Sequence, residues 1–310
     1  MSFNLNDEIR EGYLVTSKMK KVWAVELDLL ETFLKYCKRH NLRCWVEGGT
    51  LLGAVRHKGF IPWDDDVDLA MPREDYDRMC RIGNEGLEYP YFLQTPYSDI
   101  EYHRGHAQLR RSDTTAIRPS DSYEKFNQGI FIDIFPLDAV PDDRQLVKKC
   151  CQDFRSTMRF LKSKNCNLLV SGRFSLFFRK IRAKYCVFKH GWANIYSKAE
   201  DQMRELGKMP HTKVAELTLI GDKVVWDKSI FEDTVYLPFE HLMVPAPKDY
   251  DAFLRESFGP DYMTPVKAPS MHGLVVFDTE RSYVELLPKV RKEYRNSAFR
   301  RLEEKKIKKK

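Results

Sequence analysis

Pro62-Trp63-Asp64-Asp65-Asp66-Val67-Asp68-Leu69-Ala70 places four aspartates within five positions, shortly after a Gly48-Gly49-Thr50 turn. Like charges packed this tightly repel one another, and a fold tolerates that cost readily when a cation sits among them. Val67, Leu69 and Met71 alternate with Asp66, Asp68 and Ala70, the period-2 pattern of a strand with one apolar face. The opposite face then projects Asp66 and Asp68 in one direction, with Asp64 and Asp65 at the strand mouth. The alternative is a solvated acidic loop, and the apolar alternation argues against it.

A second acid stands out for its surroundings. Asp133 lies within Gly129-Ile130-Phe131-Ile132-Asp133-Ile134-Phe135, a run that reads as a strand apolar on both faces, stopped by Pro136. A bare carboxylate there is expensive to bury unpaired. If this strand lies beside the first, Asp66, Asp68 and Asp133 converge on one point. Hard oxygen ligands of this kind suit Mg²⁺ or Mn²⁺, with water and substrate phosphate in the remaining positions. Pairing of Asp133 with a buried arginine is the competing reading.

Around these strands the pattern alternates between helix and strand. Val22, Val25, Leu29, Phe33 and Tyr36 recur at helical spacing over 19–39. Arg43 to Glu47 reads as a short strand ending at Gly48-Gly49, and Thr50 as the N-cap of a helix through Val55. The N–H groups at that helix start suit phosphate oxygens, so Gly48, Gly49 and Thr50 are candidate phosphate contacts. Arg56, His57 and Lys58 supply positive charge close by in sequence, although cations also favour a helix C-terminus for their own sake. Pro72 at N1 opens a helix over 73–81, and 91–95 and 106–110 are weaker strands. Beyond residue 141 the pattern is helical over 143–164, 173–190 and 193–207, mixed over 224–244, and helical again over 249–258. No internal repeat or low-complexity linker interrupts the chain. It is read as one α/β (α+β) unit over 1–290, a mixed-sheet core at about 25–140 followed by a helix-rich part at about 141–290, with a basic tail at 291–310.

Charge is unevenly spread. Residues 291–310 hold ten Lys and Arg against three Glu, whereas 144–190 hold thirteen against the single acid Asp153. Within 173–190, Phe174, Phe177, Phe178, Ile181, Tyr185 and Phe188 make one stripe flanked by basic residues. Such a stripe packs on a core or, with this charge, meets an anionic membrane surface. The seven cysteines follow no disulfide or zinc spacing, which points to free thiols in a reducing compartment. The polar, acidic start lacks the apolar segment of a signal peptide, and no apolar run approaches the length of a membrane span. His272 in Pro269-Ser270-Met271-His272-Gly273 is a lone histidine that is either structural or a substrate contact.

The run from Glu47-Gly48-Gly49-Thr50 through Arg56-His57-Lys58-Gly59-Phe60-Ile61-Pro62-Trp63-Asp64-Asp65-Asp66-Val67-Asp68 resembles the signature of the LicD family, to which fukutin-related protein is also similar. Phe131-Ile132-Asp133-Ile134-Phe135-Pro136-Leu137-Asp138 resembles its second acidic strand, and Phe239-Glu240-His241 through Gly259-Pro260-Asp261-Tyr262-Met263 its C-terminal region. The resemblance covers about residues 25–285. It implies a nucleotidyltransferase-like mixed-sheet core with metal aspartates at Asp66, Asp68 and Asp133. It also implies transfer of a phospho-alcohol, typically phosphocholine, from a CDP-activated donor such as CDP-choline to a sugar hydroxyl of a glycan or lipid-linked glycan acceptor. Asp133 or Asp64 would take the acceptor proton. If the head group is choline, an aromatic cage holds its ammonium, with Trp63 and Trp45 as the nearest aromatics.

The absence of a secretion signal fits a cytoplasmic enzyme, peripheral on the inner membrane face through 173–190 and 291–310. Two rival readings share the acidic trio or discard it. One is nucleotidyl transfer from CTP or ATP; the other is a non-catalytic protein that binds nucleic acid or membrane. Carboxylates clustered in this way would repel nucleic-acid phosphates, so no specific nucleic acid is expected.

Overall fold

The computed structural model describes residues 3–99, 101–165, 176–267 and 274–307. A hairpin of β1 (Glu8–Arg10) and β2 (Tyr13–Val15) leads into α1 (Ser17–His40). There follow β3 (Trp45–Val46), α2 (Gly48–Arg56), β4 (Asp68–Pro72), α3 (Arg73–Ile82), β5 (Tyr91–Gln94), β6 (Ala107–Arg111), β7 (Thr115–Ile117) and β8 (Ile130–Val140). The second half comprises α4 (Arg144–Ser163), α5 (Leu176–His190), α6 (Trp192–Gly207), β9 (Lys213–Ala215), β10 (Trp226–Asp227), the hairpin β11 (Thr234–Phe239) and β12 (Leu242–Pro247), α7 (Tyr250–Phe258), β13 (Val276–Asp278) and α8 (Tyr283–Ile307).

The expected α/β architecture with a mixed sheet is present. Seven strands form it, and β8 is its axis. On one side β8 pairs in parallel with β4, and on the other it pairs antiparallel first with β6 and then with β9. β3 and β10 lie at the outer ends, and β5 extends from β6. The helix-rich second half is thus not separate from the sheet, since β9 and β10 complete it.

All eleven residues of β8 are buried, as a strand covered on both faces requires. Pro136 does not stop it. The strand runs on to Val140 because β6 partners only Ile130 to Ile134 and β9 only from Asp138. Pro136 falls in the gap, where no ladder asks for its missing N–H.

Local signals explain the elements that flank the sheet. Thr16 caps α1 by accepting the Met19 N–H, and Asn41 closes it in the left-handed conformation. The apolar stripe Val22, Leu29, Leu30, Phe33 and Tyr36 is buried, in the main core with β4, β6 and β8. A second cluster under α4 and α6 joins Val147, Phe154, Tyr196 and Met203 to Val140 and Ala215.

Several boundaries differ from the sequence reading. The N-cap of α2 is Glu47, not Thr50, because the helix begins at Gly48, whose φ of 50° only glycine adopts at ease. Pro72 is itself the cap of α3 instead of its first residue, since it still belongs to β4. α8 begins at Tyr283 and continues into the basic residues beyond 291. The residues assigned to mixed structure, 224–244, hold β10, a 3-10 turn and most of the β11–β12 hairpin. Among the described residues six cysteines are free, and no helix is long and apolar enough to cross a membrane. His272, and Arg173 and Phe174 of the aromatic stripe, lie outside the described residues.

Candidate active site

The register of the parallel pair decides what the acidic strands do together. Asp68 stands opposite Asp133, Leu69 opposite Ile134, and the Asp133 N–H donates to Val67 O at 2.9 Å. Register partners share a face of the sheet, so Asp68 and Asp133 project side by side. Val67, Leu69 and Met71 are buried as expected, but Ala70 is buried too, so both faces of β4 are covered. The strand begins only at Asp68. Asp64, Asp65 and Asp66 lie in the loop before it and keep partial exposure. One carboxylate oxygen from each of the three can come within 4.8 Å of the others.

α2 delivers its N-terminus to this loop. A Cβ on Gly49 would sit 2.6 Å from Asp64 Oδ2, and one on Gly48 would sit 3.5 Å from Asp68 Oδ2. The two glycines therefore let the helix start approach the carboxylates directly. Thr50 Oγ1 accepts the Asp68 N–H at 2.9 Å, and the Glu47 N–H donates to Asp68 O at 3.1 Å. Trp23, stacked on Phe60 with centroids 4.5 Å apart, donates from Nε1 to Asp64 O and fixes the loop from below.

Three further acids surround the trio. Glu26 on α1, Glu47 and Glu216 are all at least 95% buried. Burial pushes the Glu26 carboxyl well above the usual range, and Asp65, Asp64, Asp68 and Asp133 add to it. Burial likewise raises Asp66, with Asp68 and Asp64 contributing, and Asp68, with Asp133 and Asp64 contributing. Glu47 rises through burial and its neighbour Glu216. Burial raises Glu216 as well. Glu26 Oε2 is buried with no hydrogen-bond partner among the described residues. An orphaned carboxyl oxygen beside so many acids could take a cation as its partner.

Amide and basic side chains flank Asp133 on the β6 side. Gln108 Nε2 donates to Asp133 Oδ1 at 2.5 Å, and His106 Nε2 lies 3.0 Å from the same atom. Arg110, buried, donates to Gln94 Oε1 and Gly129 O and steadies Gln108. Burial pushes Arg110 down to about 10. Arg104 is paired with Asp121 at 2.7 Å. Arg118 is held beside Arg104 and in the field of Asp133, and its Nε is buried without a hydrogen-bond partner among the described residues.

Residues 41–169 match the LicD/FKTN/FKRP nucleotidyltransferase domain, which contains this constellation from Glu47 to Asp133. The segment that carries the site is thus similar to the LicD family. Lipopolysaccharide cholinephosphotransferase LicD of Haemophilus influenzae is 27% identical over 258 residues, which span 79% of this chain and 91% of that protein. Ribitol 5-phosphate transferase FKRP of Homo sapiens is 62% identical over 35 residues, 11% of this chain and 7% of its own. Mannosyltransferase regulator 4 of Saccharomyces cerevisiae is 27% identical over 107 residues, 34% of this chain and 8% of that protein.

Several expected site residues stand elsewhere. Asp138 is five positions from Asp133, and an odd spacing puts it on the opposite face of β8. There Arg73 grips it with bonds of 2.7 and 3.0 Å, alongside Glu200. Arg56, His57 and Lys58 follow the far end of α2, about 12 Å of helix from Gly48. Arg56 donates to Tyr262 O, and His57 Nδ1 meets Glu11 at 3.0 Å. Their sequence proximity to the Gly-Gly turn did not survive the length of the helix. Trp45 is a core residue whose Nε1 donates to Thr234 Oγ1. Trp63 stays half-buried at the acidic loop, edge-on to Tyr13 with centroids 6.1 Å apart.

Sequence reasoning missed Glu26, Glu47, Glu216, Gln108 and Arg118. Glu26 carried a signal, since it interrupts the apolar stripe of α1 four residues after Val22. Glu216 and Arg118 carried none that a single sequence shows.

Proposed function

We propose that this protein is a metal-dependent phosphotransferase that moves a phospho-alcohol, most simply phosphocholine, from a CDP-activated donor to a sugar hydroxyl of a glycan precursor. The observation that carries the reading is the register of Asp68 against Asp133, with the Asp64–Asp66 loop and the start of α2 at the same point. The names of the two transferases among its relatives, which act with cholinephosphate and ribitol 5-phosphate, support the reaction class.

Asp66, Asp68 and Asp133 would hold Mg²⁺ or Mn²⁺ through hard oxygens; the carboxylate oxygens already gathered within 4.8 Å of one another are those of Asp64, Asp65 and Asp66, and the orphaned Glu26 oxygen lies in the field of the same acids. When bound, such an ion supplies charge neutralisation to the donor pyrophosphate. The chain's own residues do the rest. The N–H groups of Gly48 and Gly49 face phosphate oxygens at the helix start, and the Arg118 guanidinium, in the field of Asp133, offers a second grip. Trp63 and Tyr13 offer aromatic faces for a quaternary ammonium. The acceptor oxygen attacks the phosphorus bearing the alcohol as the bond from that phosphorus to the CMP oxygen breaks, and CMP departs. Asp64, more exposed than the buried Asp133, receives the acceptor proton.

³¹P NMR tests this with the purified protein, Mg²⁺, a glycan acceptor extract and, separately, CDP-choline, CDP-ethanolamine, CDP-ribitol and CTP. CMP released from one CDP-alcohol by the wild type but not by Asp66→Asn is the expected result. Pyrophosphate released from CTP would replace the reading by nucleotidyl transfer, and no turnover of any donor with acceptor present would remove it.

A further inference from the structure

The aromatic stripe of α5 faces outward. Phe188 is 90% exposed, Phe178 78%, Tyr185 61%, Ile181 50% and Phe177 47%. At about 100° per residue these five fall within one arc of about 100°. Ala183, the one buried residue of the helix, lies opposite the centre of that arc. α5 is therefore seated on the protein by its back, against α4 and α6, and presents its most apolar face to the surroundings.

A solvated helix would not carry five large apolar side chains in a single exposed row. Charge says what covers them. Arg182 and Lys189 border the stripe on one edge and Lys184 on the other, all three exposed, and α5 contains no acid. The preceding α4 adds Arg144, Lys148, Lys149, Arg155, Arg159 and Lys162 against one Asp. An apolar stripe rimmed by cations matches the boundary between acyl chains and anionic head groups. A self-association face would place these like charges against their own copies.

We propose that α5 lies in the interface plane of an anionic membrane, with Phe177, Phe178, Ile181, Tyr185 and Phe188 inserted below the head groups and the basic residues among them. The aromatic row supplies depth, and each cation beside an anionic leaflet multiplies partition by about five-fold. This surface is independent of the donor chemistry and goes beyond it.

Co-sedimentation of the full chain with extruded vesicles tests the proposal without nucleotide or glycan. Vesicles of phosphatidylglycerol and phosphatidylcholine at 3:7 are compared with phosphatidylcholine alone, at low and high salt. Binding is expected to the anionic vesicles, to weaken with salt, and to fall at least ten-fold in Phe178→Ser/Phe188→Ser. Because both side chains are exposed, that variant is expected to keep the wild-type melting temperature. Absence of binding to anionic vesicles at low salt, or equal binding by the double variant, overturns the proposal. A wild-type dimer by light scattering that the double variant dissolves would assign the stripe to a second copy instead.

Discussion

Replacing Asp68 by Asn is expected to raise the stability of the metal-free protein and to abolish its response to divalent cations. Asp68 and Asp133 are register partners, so their side chains leave one face of strands about 4.8 Å apart. Two unit charges at about 5 Å repel by about 3 kcal/mol at an effective dielectric of about 20. Asn preserves the shape and removes that repulsion. For a chain of this size 1 kcal/mol moves the midpoint by about 2 °C, so the gain approaches about 6 °C. In the wild type a cation at a hundred times its Kd stabilises by about 2.7 kcal/mol, a rise of about 5 °C. Scanning calorimetry in EDTA and then in Mg²⁺ or Mn²⁺ reads both effects. The raised Asp68 carboxyl keeps a proton that the unfolded chain has released, so wild-type stability falls as pH climbs through the folded-state value. The advantage of Asn thus grows as pH rises. A variant that melts lower than wild type without metal, yet keeps the full rise with metal, would refute the reasoning. The fold would then neutralise these acids by itself.

Gly49→Ala puts a methyl 2.6 Å from Asp64 Oδ2 and is expected to lower turnover by about 100-fold through displacement of that carboxylate; calorimetry should show little change, and wild-type turnover would remove Gly49 from the site. Arg118→Gln is expected to weaken CDP-alcohol binding by about 10–100-fold, the value of a charged hydrogen bond, read by titration calorimetry. Arg73→Ala leaves Asp138 and Glu200 buried without their shared partner and is expected to cost about 3–5 kcal/mol in urea unfolding. Burial pushes Glu124 up to about 7, so its contribution to stability falls as pH rises from the ordinary carboxylate range through about 7. Glu124→Gln is expected to melt higher than wild type at pH 8 and alike at pH 5.

The side-by-side placement of Asp68 and Asp133 was legible because each broke a pattern, a period-2 alternation in one place and an apolar run in the other; the same alternation put Asp66 on the strand, whereas it stands in the loop before it. The helices α1, α3, α4, α6 and α7 were legible for the same reason, through apolar spacing and caps. What the sequence hid depends on partners distant along the chain. Pro136 reads as a terminator until β6 and β9 are known to leave a gap at its N–H. Thr50 reads as a cap until Asp68 claims its hydroxyl. Arg56 and His57 read as site cations because sequence distance ignores the rise of the helix between them and Gly48. The stripe of α5 was visible, but periodicity alone says which residues share a face and not whether that face is covered.

β8 also constrains how the chain can vary. Its two acids face opposite ways, Asp133 towards the carboxylate cluster and Asp138 towards Arg73, only because five residues separate them. Substitutions between them change volume, and a packed core absorbs some of that. A single inserted or deleted residue changes parity instead. It would deliver the partner of Arg73 to the acidic face, or withdraw Asp133 from it, with every side chain individually acceptable. For this strand the tolerated alphabet is wide, and the tolerated length is one value.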